Sequence, residues 1–223
     1  MGNRRILALT VACMTAAVVL TLGPAAGATK AGDLTTARQG ALVASDFPTG
    51  WSGTRATPTP DARVIKLAKT IPSCSDYVKM RTTTAKLPAA RSLDFADGQG
   101  TKASNVVNVF SNTKQAGATM KLWSSAKMPA CLEKFTQAAA GTGVTVVVEP
   151  VDVSSLSPDA IGYTAKIAGA DNIVQEALLS FAVPVGKYVS VFTVDVSSAN
   201  AVLDPVDTAV QASLGRLDDA VKA

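Results

Sequence analysis

The stretch IVQEALLSFAVPVGKYVSVFTVDV, residues 173–196, decides the fold. Ile173 to Val183 and Tyr188 to Val196 are rich in Val, Leu, Phe and Tyr, the residue types that favour a pleated, half-buried surface. Pro184-Val185-Gly186-Lys187 lies between them and reads as a hairpin turn. Two antiparallel strands are therefore expected. Val144 to Val148 and Ala160 to Ile167 have the same character, which makes four strands in this half of the chain. A closing helix follows, with Asp204 as N-cap, Pro205 at its first position and Asp207 three residues after the cap. Val206, Val210, Leu214, Leu217 and Val221 form one apolar side of that helix, suited to closing the sheet.

Towards the N-terminus the period changes. Ser92 to Ala96 and Asn105 to Phe110 alternate in part and flank Asp97-Gly98-Gln99-Gly100, the pattern of two strands with a flexible connection. Asn112 or Thr113 caps a helix carrying Ala116, Met120 and Trp123. After an interruption at Pro129, the stripe of Met128, Leu132, Phe135 and Ala139 runs on to Gly141 and Gly143. Earlier, Val64, Leu67, Ala68 and Ile71 recur at helical spacing, a second helix runs from Cys74 through Arg81, and Thr82 to Pro88 reads as a loop. Asp33 caps a helix through Ser45, with Leu34, Ala37, Ala41 and Leu42 on one side. Asp46-Phe47-Pro48-Thr49-Gly50 breaks it, Trp51 starts an extended piece, and Pro58-Thr59-Pro60 forms a second break. This order of elements predicts an α+β fold, a single domain with a largely antiparallel sheet covered by helices.

Residues 1–28 carry the layout of a secretory signal peptide: Arg4 and Arg5, an uncharged apolar run from Ile6 to Leu22, and Ala26-Gly27-Ala28. Cleavage before Thr29 leaves residues 29–223 as one secreted or envelope-associated domain, with no stable membrane span. The alternatives are a retained anchor, for which 17 apolar residues are short, and acylation at Cys13. Thr10-Val11-Ala12 lacks the branched aliphatic residue that acylation needs three positions before the cysteine. Two cysteines then remain, Cys74 and Cys131, and outside the cell they are expected to pair.

Charge is uneven along the chain. Residues 29–134 hold 15 basic and 7 acidic residues, and residues 135–223 hold 4 basic and 10 acidic. Complementary packing within one domain explains this. The alternative is a positive face around Arg55, Arg63, Lys66, Lys69, Lys79, Arg81, Lys86 and Arg91 that attracts anionic envelope lipids or polymers. Nucleic acid is not an expected partner, because the basic stretch lacks interleaved aromatics.

With no histidine among 223 residues, Ser-His-Asp and Cys-His nucleophile systems and His-ligated metal sites are excluded. Ser124-Ser125-Ala126-Lys127 matches S-x-x-K, but the accompanying K-T-G is absent. Asp94, Asp97 and Gly98 resemble part of a calcium loop without its spacing, and Gly98-Gln99-Gly100 lacks the third glycine of a dinucleotide loop. Glu133, Glu149 and Glu176 are the only glutamates open to carboxylate chemistry. No catalytic residue, cofactor or metal site is expected.

Ala41-Leu42-Val43-Ala44-Ser45-Asp46-Phe47-Pro48-Thr49-Gly50-Trp51, together with Val109-Phe110-Ser111-Asn112 through Ala116 and Trp123 to Cys131, resembles the exported sensor-type domains of mycobacteria and related actinobacteria. The extracellular domain of the kinase PknH is one of these. The Mog1 and PsbP type of α/β sandwich is a related comparison. The resemblance implies an antiparallel sheet with helices around a cleft, a disulfide, and a role in binding or sensing an envelope ligand. The expected function is thus a non-catalytic cell-envelope binding or sensor-like module for a small amphipathic or lipid ligand or a protein partner. The alternative is an envelope hydrolase that uses a carboxylate or Ser124.

Overall fold

Strands β7 (Val174–Val185) and β8 (Tyr188–Val196) form the expected hairpin, in register from Ala177 opposite Val196 to Val185 opposite Tyr188. The turn is only two residues, Gly186-Lys187, and Gly186 takes φ 58° there. Pro184 is part of β7 and lies opposite Val189. Its missing N–H is harmless, because β6 pairs with β7 only as far as Ala182 and leaves that edge open. The computed structural model describes residues 31–55, 61–171, 173–197 and 203–223. The leader expected over residues 1–28 and the Pro58 and Pro60 break lie outside them.

Eight strands build one antiparallel sheet. The others are β1 (Ser52–Thr54), β2 (Ala89–Arg91), β3 (Asp94–Ala96), β4 (Thr101–Val109), β5 (Thr145–Val151) and β6 (Ile161–Ala168). The order is β1-β3-β4-β8-β7-β6-β5, with β2 also paired to β4. Among the described residues there are six α-helices: α1 (Ala31–Gln39), α2 (Asp61–Lys69), α3 (Ser75–Thr84), α4 (Thr113–Trp123), α5 (Met128–Ala140) and α6 (Asp204–Lys222). None of them is long and apolar enough to cross a membrane.

Because side chains alternate across a strand, each face of the sheet has its own core. On one face, Phe181, Val183, Phe192 and Val194 meet Val206 and Val210 of α6, and Val107, Val109 and Tyr188 meet Ala37 of α1 and Leu217 of α6. On the other, Tyr163, Ala165, Ile167, Leu178, Ala182 and Val189 lie under α2 to α5. Cys74 and Cys131 form the expected disulfide, fully buried, tying the start of α3 to α5 beside the Tyr77 and Phe135 rings.

Several boundaries differ from expectation for local reasons. α1 ends at Gln39 rather than Ser45, because the chain is captured by the sheet: Gly40 O accepts from Asn105 Nδ2 at 2.7 Å and from Ser213 Oγ at 2.7 Å, and the Leu42 N–H donates to Asn105 Oδ1 at 3.0 Å. Gly40 also permits the close approach of α6, since a Cβ there would stand 3.0 Å from Leu217. Thr82 to Thr84 extend α3 instead of forming a loop. The hydroxyls of Thr83 and Thr84 donate back to the Lys79 and Met80 carbonyls at 3.0 and 3.2 Å.

The strand expected over Ser92 to Ala96 is broken at Ser92-Leu93, where Ser92 Oγ accepts the Asn105 N–H at 2.8 Å in place of a backbone carbonyl. Pro129 does not interrupt a helix but lies in the first turn of α5, where a missing N–H costs nothing. α6 begins one residue before its expected first position, with Leu203 as the N-cap and Asp204 already helical. Leu203 O accepts the N–H groups of Val206 and Asp207 at 2.9 and 3.0 Å.

Candidate functional site

A groove of about 600 Å³ runs along α4. Asn112 starts that helix by accepting the Gln115 N–H at 3.0 Å, and Ala116, Thr119, Met120 and Trp123 lie on its buried side. Trp123 is held twice by β6: its ring stacks on Tyr163 at 6.3 Å, and its carbonyl accepts the Tyr163 hydroxyl at 2.7 Å. The opposite wall is Pro158 to Ile161, which lead into β6, with Pro184 and Gly186 from the β7–β8 hairpin. The apolar lining comes from Ala116, Met120, Pro158, Ala160, Ile161 and Pro184, and the polar lining from Thr113, Lys121, Ser124 and Asp159. Gly117 keeps the α4 wall open, for a Cβ built there meets nothing within 4 Å.

Ser124, the S-x-x-K serine, lines this groove, but its hydroxyl donates to the Lys121 carbonyl at 3.3 Å as part of the helix end. Ser125 Oγ donates to Asp76 at 2.5 Å and accepts the Lys127 N–H at 3.3 Å. The Lys127 backbone, rather than its ammonium, thus engages the motif.

A second polar site lies on the sheet, on the face that carries α2 to α5. Lys102 of β4 stands directly opposite Asp195 of β8, with Nζ 3.6 Å from Oδ2. Glu176 of β7 lies two residues from Leu178, which is the partner of Asp195 across the next ladder. Burial, together with the charge of Asp195, pushes the Glu176 carboxyl up to about 7. Burial raises Asp195 as well, against the pull of Lys102. Asp195 Oδ1 is buried with no hydrogen-bond partner among the described residues, so a proton held on Glu176 supplies the donor it lacks.

The three glutamates are not brought together. Glu149, opposite Thr164 on β5, is on the other face of the sheet from Glu176 and pairs with Lys166 at 2.7 Å. Glu133 lies on α5. Asp195 escaped the sequence reading, although a carboxylate inside Val191-Phe192-Thr193-Val194-Asp195-Val196 was its signal. Asp97, whose surroundings lack the spacing of a calcium loop, caps a turn: Oδ1 accepts the Gln99 and Thr101 N–H groups at 2.7 and 2.9 Å. Burial opposes these bonds, yet they hold Asp97 below the usual carboxylate range.

Of the basic residues expected to form a face, Arg81 pairs with Asp61. Burial lowers Arg91, with Asp94 pulling the other way. Arg55, Arg63, Lys66, Lys69, Lys79 and Lys86 are exposed.

No protein-family model and no curated protein matches this chain. A solved structure does: the extracellular domain of PknH from Mycobacterium tuberculosis, at TM-score 0.43 and 14% identity, over 69% of this chain and 76% of that one. This is a weak likeness of fold. It carries nothing about function.

Proposed function

We propose that the chain is exported, that its leader is removed, and that residues 29–223 act as a non-catalytic envelope binding module. Its ligand is a small amphipathic molecule lying along α4. The supporting observation is the mixed lining of the groove: Ala116, Met120 and Ile161 supply apolar contact, and Lys121, Ser124 and Asp159 are among the lining residues to receive a polar group. The disulfide fits the oxidising side of a membrane.

Native mass spectrometry with lipid extraction, on protein exported from an actinobacterial host, tests this reading. A reproducible non-covalent adduct is expected on the wild type and not on Gly117→Leu, whose Cβ has open space in the groove wall. An adduct that survives Gly117→Leu places the ligand elsewhere, and a bare wild-type chain removes the ligand from the proposal.

A second reading draws on the raised carboxyl of Glu176 beside Asp195, an arrangement also used for acid and base work in hydrolysis. An envelope-glycan hydrolase activity abolished by Glu176→Gln but untouched by Gly117→Leu would replace the binding module with an enzyme.

A further inference from the structure

Folding converts the charge imbalance between the two halves of the chain into an imbalance between layers. On α2, Arg63, Lys66 and Lys69 recur every three residues and are exposed, on the side away from buried Val64 and Ala68. Lys79 on α3, Lys121 on α4 and Lys134 on α5 are exposed as well. The acids of these helices are few, and two of the three are engaged. Asp61 pairs with Arg81, Asp76 accepts from Ser125, and Glu133 is half-buried.

The layer across the sheet has the opposite sign. α6 exposes Asp204, Asp207 and Asp219, while its two cations, Arg216 and Lys222, are paired with Asp46 and Asp218. The separation matters more than the total charge, because a molecule polarised in this way is turned by a charged plane even when its net charge is small.

We propose that the α2 to α5 layer docks on an anionic phospholipid bilayer, with α6 facing away. The cations are spread over four helices as an area, which matches a plane of headgroups better than a single polyanion lying in a channel. Adhesion is electrostatic rather than insertive: among the described residues, the large apolar side chains left exposed, such as Val147, Ile173 and Leu203, all lie outside these four helices. Lys121 also lines the groove along α4, whereas the cations of α2, α3 and α5 do not, so this surface does not require the groove ligand.

The test is co-sedimentation of the exported full chain with vesicles of phosphatidylcholine alone and of phosphatidylcholine with about one quarter phosphatidylglycerol. Binding is expected to the anionic vesicles only, and to weaken at least about tenfold between low and several-hundred-millimolar salt. One cation near such a surface is worth about a fivefold change in affinity, so Arg63→Glu/Lys66→Glu/Lys69→Glu is expected to weaken binding by about a hundredfold or more.

If that variant misfolds by circular dichroism, Lys79→Glu/Lys134→Glu replaces it, with at least about twentyfold weakening expected. Asp204→Lys/Asp207→Lys on the far layer should retain binding. Equal binding to neutral vesicles, folded reversal variants that still bind, or capture by dextran sulfate without any vesicle binding would each overturn the proposal.

Discussion

Arg216 of α6 holds Asp46, 170 residues away in sequence, with both arms of its guanidinium: Nη1 lies 2.6 Å from Oδ1 and Nη2 2.8 Å from Oδ2. The same side chain donates from Nε to Gln39 O and from Nη2 to Ala41 O, each at 3.1 Å. Asp46 Oδ2 in turn accepts the Val43 N–H at 2.9 Å. One residue of the closing helix thereby sets the path of the chain from the end of α1 into Asp46-Phe47-Pro48-Thr49-Gly50-Trp51. Phe47 then stacks between Trp51 and Phe95 at 4.6 and 4.7 Å.

Removing the guanidinium leaves a buried charge behind, for the Asp46 side chain is only 4% exposed. Arg216→Met is therefore expected to cost about 3–5 kcal/mol, or roughly 10 °C of thermal midpoint for a domain of this size. Arg216→Met/Asp46→Asn should recover part of that loss. Thermal unfolding followed by circular dichroism reads both, and a single variant within about 1 °C of wild type would show the pair to be ornamental.

Asn105 is the second tertiary anchor. It is 1% exposed, donates from Nδ2 to Gly40 O at 2.7 Å and to Ser190 Oγ at 3.0 Å, and accepts from Leu42 N. Asn105→Leu strands the Leu42 N–H in the interior, with an expected cost of about 2–3 kcal/mol. Hydrogen exchange should localise the effect: the amide of Leu42 is expected to lose protection well before those of Phe181 and Phe192. Uniform loss across the sheet would mean that Asn105 supports the whole core rather than the α1 connection.

These two anchors mark where a sequence stops being legible. The β7–β8 hairpin and the disulfide were readable because each rests on a local pattern or on a count: apolar runs either side of Pro184 to Lys187, and two cysteines beyond residue 28. The break at Ser92-Leu93 was not, because it depends on a hydroxyl meeting the N–H of Asn105, 13 residues away. The end of α1 was misplaced for the same reason, since periodicity through Ala41 and Leu42 carries no mark of the polar grip on Gly40. The candidate sites divide similarly. Met120 and Trp123 were readable as core, but the groove that Met120 shares with Ile161 and Pro184 is made by tertiary packing. Glu176 was visible as one glutamate among three, whereas its neighbour Asp195 came from strand register alone.

The disulfide offers a third prediction. Cys74 and Cys131 close a loop with a separation of 57 residues, for which chain entropy gives about 4 kcal/mol. Cys74→Ser/Cys131→Ser should lower the urea midpoint by that amount divided by the m-value, and reductant should lower the wild type to the same midpoint. A variant as stable as the oxidised wild type would show that the buried contacts of α3 and α5 with the rest of the helical layer hold it together unaided.

The last prediction concerns pH, and its sign follows from Glu176. The folded carboxyl titrates at about 7 against an ordinary 4.5, so between those values the folded chain keeps a proton that the unfolded chain releases. Its contribution is fully present below pH 4.5 and is lost as the pH rises through 7. Asp195, also raised by burial, adds in the same direction at the acidic end. Other groups pull the opposite way, as with Asp97, whose lowered carboxyl favours the fold once ionised. The informative quantity is therefore the difference between wild type and Glu176→Gln. Glutamine stays neutral and keeps an N–H donor for Asp195 Oδ1, so the variant should match the wild type near pH 4 and exceed it at pH 8, with the advantage growing between about 4.5 and 7. Urea midpoints at half-unit steps read it directly. Parallel curves for the two proteins would mean that Glu176 ionises freely in the fold, and would take from the Glu176 and Asp195 pair both its shared proton and its claim to acid and base chemistry.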